Sequence, residues 1–283
     1  MARSTDISPI SQLLSRVDAI ADGAPAVDTI PSGFPSIDHM FGGGLRRGDL
    51  LVLGGDVGSG KSALALAVAL RVAQQHVDTV LYSGEMAPQR VMERALAIEG
   101  RVRIDELRQG SLSEQGRAAV GAAAVRLRDV MPVVDRIPTG GVAALAAELE
   151  TRVSPALVVV DPLEALVTGA RPRDEELAQA VLDLKALALR LNVAIFTTSQ
   201  LPGLAPREDR RPHLDDFGAL GAVKHHADVI LALFREGMYD PRREIEGATE
   251  LLVRKNRNGG TGYIDLYFYA QWMRFEDMLD PDR

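Results

Sequence analysis

The stretch Gly54-Gly55-Asp56-Val57-Gly58-Ser59-Gly60-Lys61-Ser62 decides the fold. It directly follows the apolar run Leu50-Leu51-Val52-Leu53 and directly precedes the Ala/Leu-rich stretch Ala63 to Ala73, so the local order is strand, glycine loop, helix. Gly55, Gly60, Lys61 and Ser62 satisfy G-x-x-x-x-G-K-[ST]. In that pattern the backbone N–H groups of the loop, here Asp56, Val57, Gly58, Ser59 and Gly60, wrap a polyphosphate. The lysine reaches its outer phosphates and the serine hydroxyl serves Mg²⁺. A mere glycine turn with a surface lysine would not require both flanks to have the right character.

Outward from the loop, strand candidates at 50–53, 79–83, 132–135, 157–160 and 193–198 alternate with helical stretches near 61–76, 88–99, 114–128, 142–153 and 174–191. Such alternation predicts a mainly parallel sheet. In 174–191, Leu177, Val181, Leu184, Ala188 and Leu191 share one face, and Asn192 closes the helix. After Asp228 come three closely spaced strands, 228–234, 249–255 and 263–269, and Asn258-Gly259-Gly260-Thr261-Gly262 reads as the hairpin turn between the last two. The fold class is therefore α/β, with a C-terminal antiparallel hairpin. Upstream, the glycine-rich lead-in Thr29 to Gly48 feeds the first central strand. Further upstream, Ser8-Pro9 starts a short helix in which Ile10, Leu13, Leu14, Val17 and Ile20 form one stripe. That stripe needs a cover, which is either its own core or another protein molecule. Residues 1–28 read as a linker or docking helix and 29–283 as the main domain.

In an open α/β sheet, ligands sit beyond the carboxyl ends of the strands, so polar residues there are the candidates for phosphate chemistry. Leu157 to Val160 delivers Asp161, which suits a carboxylate that holds the Mg²⁺ shell. Thr79 to Ser83 ends in Gly84-Glu85, and Glu85 on that edge is a candidate general base; a solvated strand-end glutamate reads the same way. Val193 to Ser199 ends in Gln200, whose amide is suited to sensing a γ-phosphate. Arg254-Lys255-Asn256-Arg257 precedes the hairpin turn: phosphoryl transfer needs cations on the developing charge, but a solvated hairpin tip is also cationic. His225 and His226 are adjacent and so diverge, which argues for a surface role rather than a metal site.

Composition narrows the class. A net charge of −7 gives no global pull toward nucleic acid or anionic membrane, so any basic surface must be local. The chain has no cysteine, which excludes disulfides and thiolate zinc sites. No long apolar run or signal-like N-terminus is present, and a cytoplasmic protein is expected.

Taken together, SGFPSIDHMFGGGLRRGDLLVL, GGDVGSGKS, YSGEMAPQRVMERALA, VVVDPLEAL, LKALALRLNVAIFTTSQL, HADVILALFRE, VRKNRNGG and QWMRFED resemble the RecA-type ATPase domain of DnaB-family replicative helicases. The lead-in is also similar to RadA and KaiC-like ATPases. The resemblance runs from about Thr29 to Asp277. It implies a RecA-like fold, with ATP and Mg²⁺ as cofactors, Glu85 as catalytic base, Asp161 and Ser62 at the metal, and Gln200 as γ-phosphate sensor. It also implies that Lys255 and Arg257 act on the adjacent subunit's site, so that catalysis requires a homo-oligomer, usually a hexameric ring around single-stranded DNA. The stripe Ile10 to Ile20 resembles the linker helix that docks on the neighbouring subunit.

Two departures qualify the expectation. The family's helical N-terminal collar, which contacts primase, is expected to be missing, because about 28 residues precede the core. In Asp215-Asp216-Phe217-Gly218-Ala219-Leu220-Gly221, Gly218 and Ala219 stand where the family's DNA-contacting loop carries Arg and Glu. Loss of a basic phosphate contact weakens non-specific binding, although backbone N–H groups near Gly218 and Gly221 can still hold phosphates. Arg171 and Arg173 supply a second DNA-loop candidate, equally readable as a surface loop. The leading expectation is an ATP-driven DNA motor. The alternative is a nucleotide-gated, RadA/KaiC-like assembly or loader ATPase that presents its N-terminal helix to a replication partner.

Overall fold

The computed structural model describes residues 8–22, 28–152, 155–201, 208–239 and 246–278. In chain order its elements are α1 (Pro9–Ala21), β1 (Thr29–Ile30), α2 (Pro35–Met40), β2 (Leu45–Arg46), β3 (Leu50–Gly55), α3 (Lys61–Gln74), β4 (Thr79–Ser83) and α4 (Pro88–Gly100). There follow α5 (Ile104–Gln109), α6 (Glu114–Leu127), β5 (Val133–Arg136), α7 (Gly141–Thr151), β6 (Leu157–Asp161), α8 (Arg173–Leu191) and β7 (Ala194–Gln200). The chain closes with α9 (Ala222–His226), β8 (Val229–Phe234), β9 (Ala248–Asn256), β10 (Gly262–Tyr269) and β11 (Arg274–Asp277).

Nine strands form one sheet in the order β11-β10-β9-β8-β3-β7-β6-β4-β5. From β8 to β5 every pairing is parallel. β9, β10 and β11 add to β8 antiparallel. The central parallel strands β3, β6 and β8 read as apolar runs because both of their faces are covered, whereas the edge strand β5 is partly exposed. Alternate residues separate onto two cores: Leu51 and Leu53 of β3 pack with α3 and α4, whereas Leu50 and Val52 pack with α7 and α8. Helix α8 buries Leu177, Val181, Leu184 and Ala188, and Asn192 ends it in the left-handed conformation with φ of 52°.

The elements missing from the sequence reading are short: β1, β2, α2, α5, α9 and β11. Six residues or fewer offer too little periodicity to register. At the N-terminus, the Ser8 side chain accepts the Ser11 amide at 3.2 Å and caps α1. The stripe Ile10, Leu13, Leu14, Val17 and Ile20 is 42–70% exposed, so this chain's own described core does not cover it.

Candidate active site

β3 carries the chain to the carboxyl edge of the sheet, where Asp56 to Gly60 turn it into α3. Gly60 caps α3 with φ of 105°, a left-handed angle that a side chain would strain. The first-turn amides of this 14-residue helix thereby face the loop, as an anion site requires. Lys61 Nζ spans the loop, donating to the carbonyls of Gly55 at 2.8 Å and Asp56 at 2.9 Å. Burial pushes the Lys61 pKa down, and the carboxylates of Glu164, Asp161, Asp56 and Glu85 pull it back up.

Asp161 ends β6 beside Ser83 of β4 and is buried. Its Oδ1 accepts from Ser62 Oγ at 3.0 Å and from Thr198 Oγ1. A hydroxyl and a carboxylate side by side at a helix N-terminus are hard oxygen donors and fit Mg²⁺. Glu85 is exposed one residue beyond Gly84. A larger residue at Gly84 would force a shift, since a β-carbon there would lie 2.2 Å from Ala165 Cβ. Gln200 ends β7 in register with Gly55, so the sheet itself sets the residue beside the start of the loop.

Lys255 and Arg257 are not brought to this edge. β9 runs antiparallel to β8 and pairs Asn256 with Val229, which places its carboxyl end at the amino edge of the parallel strands. A six-residue strand such as β3 separates the two edges by about 17 Å at roughly 3.3 Å per residue. A bulge between Ile230 and Leu231 leaves Arg254 as the extra residue just before Lys255, where bulges re-aim a strand end. There Lys255 Nζ donates to the carbonyls of Lys224 at 2.8 Å and His225 at 3.3 Å, and Arg257 pairs with Asp228 at 2.8 Å. His225 and His226 end α9, and His225 contributes its backbone carbonyl to these cations.

The loop candidates lie on the carboxyl edge. Arg173, Gly218 and Ala219 line a cleft with Glu164 and Gln200, which puts both loops next to the strand-end amide. Glu176 ties the 168–171 turn through the amides of Thr168, Gly169 and Arg171. Burial acts upward on its carboxyl, but those amides prevail and hold it down at about 2. Ala219 and Leu220 take φ of 57° and 50°, and Leu220 is 70% exposed. Gly221, with φ of 81°, caps α9.

Residues 29–277 match the family described as the DnaB-like helicase C terminal domain. The chain belongs to this family. The DnaB-like chain is 29% identical over 276 residues to a replicative DNA helicase DnaB of Leifsonia xyli subsp. xyli, covering 95% of this chain and 60% of that protein. It is 27% identical over 275 residues to the replicative DNA helicase DnaC of Bacillus subtilis, again covering 60% of it. It therefore spans about three fifths of the length of these relatives. Among solved structures, a chain described as an ATPase domain superposes with a TM-score of 0.86 at 23% identity, covering 96% of this chain and 99% of that one. A DnaB-like replicative helicase, described with its interactions with primase, superposes with a TM-score of 0.83 at 22% identity, covering 96% of this chain and 67% of that one. These superpositions establish the fold of the DnaB-like chain as RecA-like.

Three side chains of the DnaB-like site were not foreseen from sequence. Glu164 sits on the single 3-10 turn after β6, where its Oε1 accepts from Ser199 Oγ at 2.8 Å and from the backbone N–H of Gln200 at 2.9 Å. Its Oε2 is buried without a hydrogen-bond partner among the described residues. Arg94 of α4 has its Nε buried in the same condition; burial lowers its pKa, while Asp161 and Glu85 act to raise it. Tyr239 donates its hydroxyl to Asp56 Oδ2 and stacks on Phe234. Only Glu164 carried a local signal, standing one turn past a strand-end carboxylate.

Proposed function

We propose that this DnaB-like domain is a Mg²⁺-dependent ATPase whose active sites lie between copies, in a hexameric ring of the family's kind, and that it couples hydrolysis to movement along single-stranded DNA. The observation that carries the reading is the division of the catalytic set between two edges. Lys61, Ser62, Glu85, Asp161 and Gln200 gather on one edge, and Lys255 and Arg257 are held on the other. A site that needs both must be built from two chains.

In this reading Asp56 to Gly60 offer backbone N–H groups to the phosphates, and Lys61 turns from the loop carbonyls to the outer phosphates. Ser62 and Asp161 would hold Mg²⁺, which when bound would supply neutralisation of phosphate charge. Glu85 accepts a proton from the attacking water, and Gln200 hydrogen-bonds the γ-phosphate. Arg257 and Lys255 of a second copy stabilise the leaving charge. Arg171, Arg173 and the amides around Gly218 and Gly221 form the DNA-facing loops, next to Gln200, so that loss of the γ-phosphate is felt where DNA lies.

Residues 29–283 form the motor, and the exposed stripe of α1 docks on a neighbouring copy or on a replication or loader protein. A cytoplasmic setting is part of the proposal; no helix among the described residues is long and apolar enough to cross a membrane. Family membership favours the motor over the nucleotide-gated loader. The deciding experiment is the ATPase rate with and without single-stranded DNA, paired with unwinding of a forked duplex. Stimulation with unwinding supports the motor, and neither effect selects the loader.

A further inference from the structure

The amino edge of the sheet carries a charge cluster of which the active-site assignment uses only the arginine. Asp228 lies just before β8 and its side chain is 5% exposed. Its Oδ2 accepts from the backbone amide of Leu50 at 2.8 Å and from Lys185 Nζ at 2.5 Å. Its Oδ1 accepts from Arg257 Nη1 at 2.8 Å, and its own carbonyl accepts the Arg257 amide at 3.0 Å. Arg257 Nη2 donates to the His225 carbonyl at 3.0 Å. One carboxylate thus joins the first residue of the strand that carries the glycine loop, a lysine of α8, and the arginine at the end of β9.

Two features make this cluster a mount rather than a sink for the arginine. Asp228 is already neutralised by Lys185, which is itself 17% exposed, so Arg257 is not required for burying the carboxylate. Moreover, the bonds to Asp228 and His225 use two of the five guanidinium donors, and the Arg257 side chain remains 49% exposed. The head is fixed in direction while a face stays open to an anion. A free arginine would have to give up its rotamer freedom each time it met a phosphate; this one has already lost most of it.

We infer that Asp228 is a positioning residue that aims Arg257 at the phosphate site of a second copy and fixes it to the strand bearing the chain's own glycine loop. The inference rests on the reading of Arg257 as acting between copies. It deepens that reading, because it makes the arginine lent to one site move together with the loop of the next.

The test uses mixed assemblies of the full chain. D228N keeps the shape of the side chain and an acceptor oxygen but removes the charge. Alone, it is expected to lower kcat about 10-fold to 100-fold with little change in KM for ATP, the size of effect that follows misplacement of a catalytic group. Mixed in equal amounts with K61A, whose own glycine loop is dead but whose arginine is intact, it should become more active. With random pairing about a quarter of the sites would combine a sound loop with a sound arginine, so adding an inactive protein raises the rate. R257A mixed with K61A is the companion measurement.

Recovery in both mixtures supports the inference. Recovery with R257A but not with D228N overturns it, because Asp228 would then act within its own chain through Leu50. No recovery with R257A overturns the underlying reading of catalysis between copies. Should D228N fail to fold with Lys185 left unpaired, the double variant K185M/D228N removes both charges and is expected to show the same recovery with K61A.

Discussion

Substitution of Gly84 by alanine probes the carboxyl edge at its tightest point. The added β-carbon would lie 2.2 Å from Ala165 Cβ and 3.1 Å from Ile137 Cδ1. One side must therefore retreat by roughly 1.3–1.8 Å to reach ordinary van der Waals contact. The backbone at Gly84 has little room to yield, since its amide donates to the Asp161 carbonyl at 2.8 Å. The displacement falls either on Glu85, the next residue, or on the turn that holds Ala165 and its neighbour Glu164. Both belong to the site. Overpacking of this kind costs about 1–3 kcal/mol of stability, and a 1 Å misplacement of a catalytic group costs about 100-fold in rate. G84A should thus lower kcat for ATP on the order of 100-fold while lowering the urea midpoint only modestly. The double variant G84A/A165G removes the opposing methyl and should recover most of the rate. A kcat near that of the parent in G84A, or no recovery in the double variant, would refute the idea that this contact places the catalytic groups.

E85Q should bind ATP with little change in KM and turn over on the order of 10²–10⁴ times more slowly, as for a lost general base; a near-normal single-turnover rate would move the base elsewhere, with Glu164 next in line. E164A leaves the Ser199 hydroxyl and the backbone N–H of Gln200 without their acceptor, and loss of the part-buried Ser199 bond costs about 1–3 kcal/mol, whereas E164Q keeps an acceptor oxygen. Urea titration should therefore rank the parent and E164Q close together with E164A well below, and equal losses in the two variants would contradict the role of those bonds. The Glu176 carboxyl is held at about 2, below its ordinary 4.5, so its hold on the 168–171 turn is complete above pH 4.5 and is lost as the pH falls toward 2. Amide protection of Thr168, Gly169 and Arg171, corrected for intrinsic exchange, should fall across that window in the parent and stay flat in E176Q. Unchanged protection in the parent would count against it.

The sheet was legible because its strands are long apolar runs and its helices carry faces at a spacing of three and four residues. Lys61, Ser62, Glu85, Asp161 and Gln200 were legible for a related reason: each stands immediately after a strand or at the start of a helix, where a rule about sheet edges applies. Glu164, Arg94 and Tyr239 follow no such rule. Arg94 lies in mid-helix, and Tyr239 reaches Asp56 from 183 residues away in sequence, a separation that no local pattern encodes. The stripe of α1 was legible as apolar, but whether it met its own core depended on tertiary contacts, and the described core leaves it exposed. The chemistry of Arg257 was ambiguous for the opposite reason. A cationic hairpin tip has the same residues whether it is solvated or mounted, and only the bonds to Asp228 and His225 distinguish the two.

The reversal of direction at β9 has a consequence for how copies of this chain associate. With the glycine loop on one edge and Arg257 on the other, each copy has a giving side and a receiving side, and on the proposed reading a productive contact joins unlike surfaces. A two-fold symmetric pair completes a site only if one self-complementary patch contains both edges, whereas a head-to-tail contact needs one edge from each copy. Head-to-tail contacts propagate until a rotation closes them or they run on as an open helix. In any open chain the copy at one end has a loop without an arginine and the copy at the other an arginine without a loop. Specific activity then becomes a measure of closure, rising with the length of the assembly and reaching its full value only when the last copy meets the first.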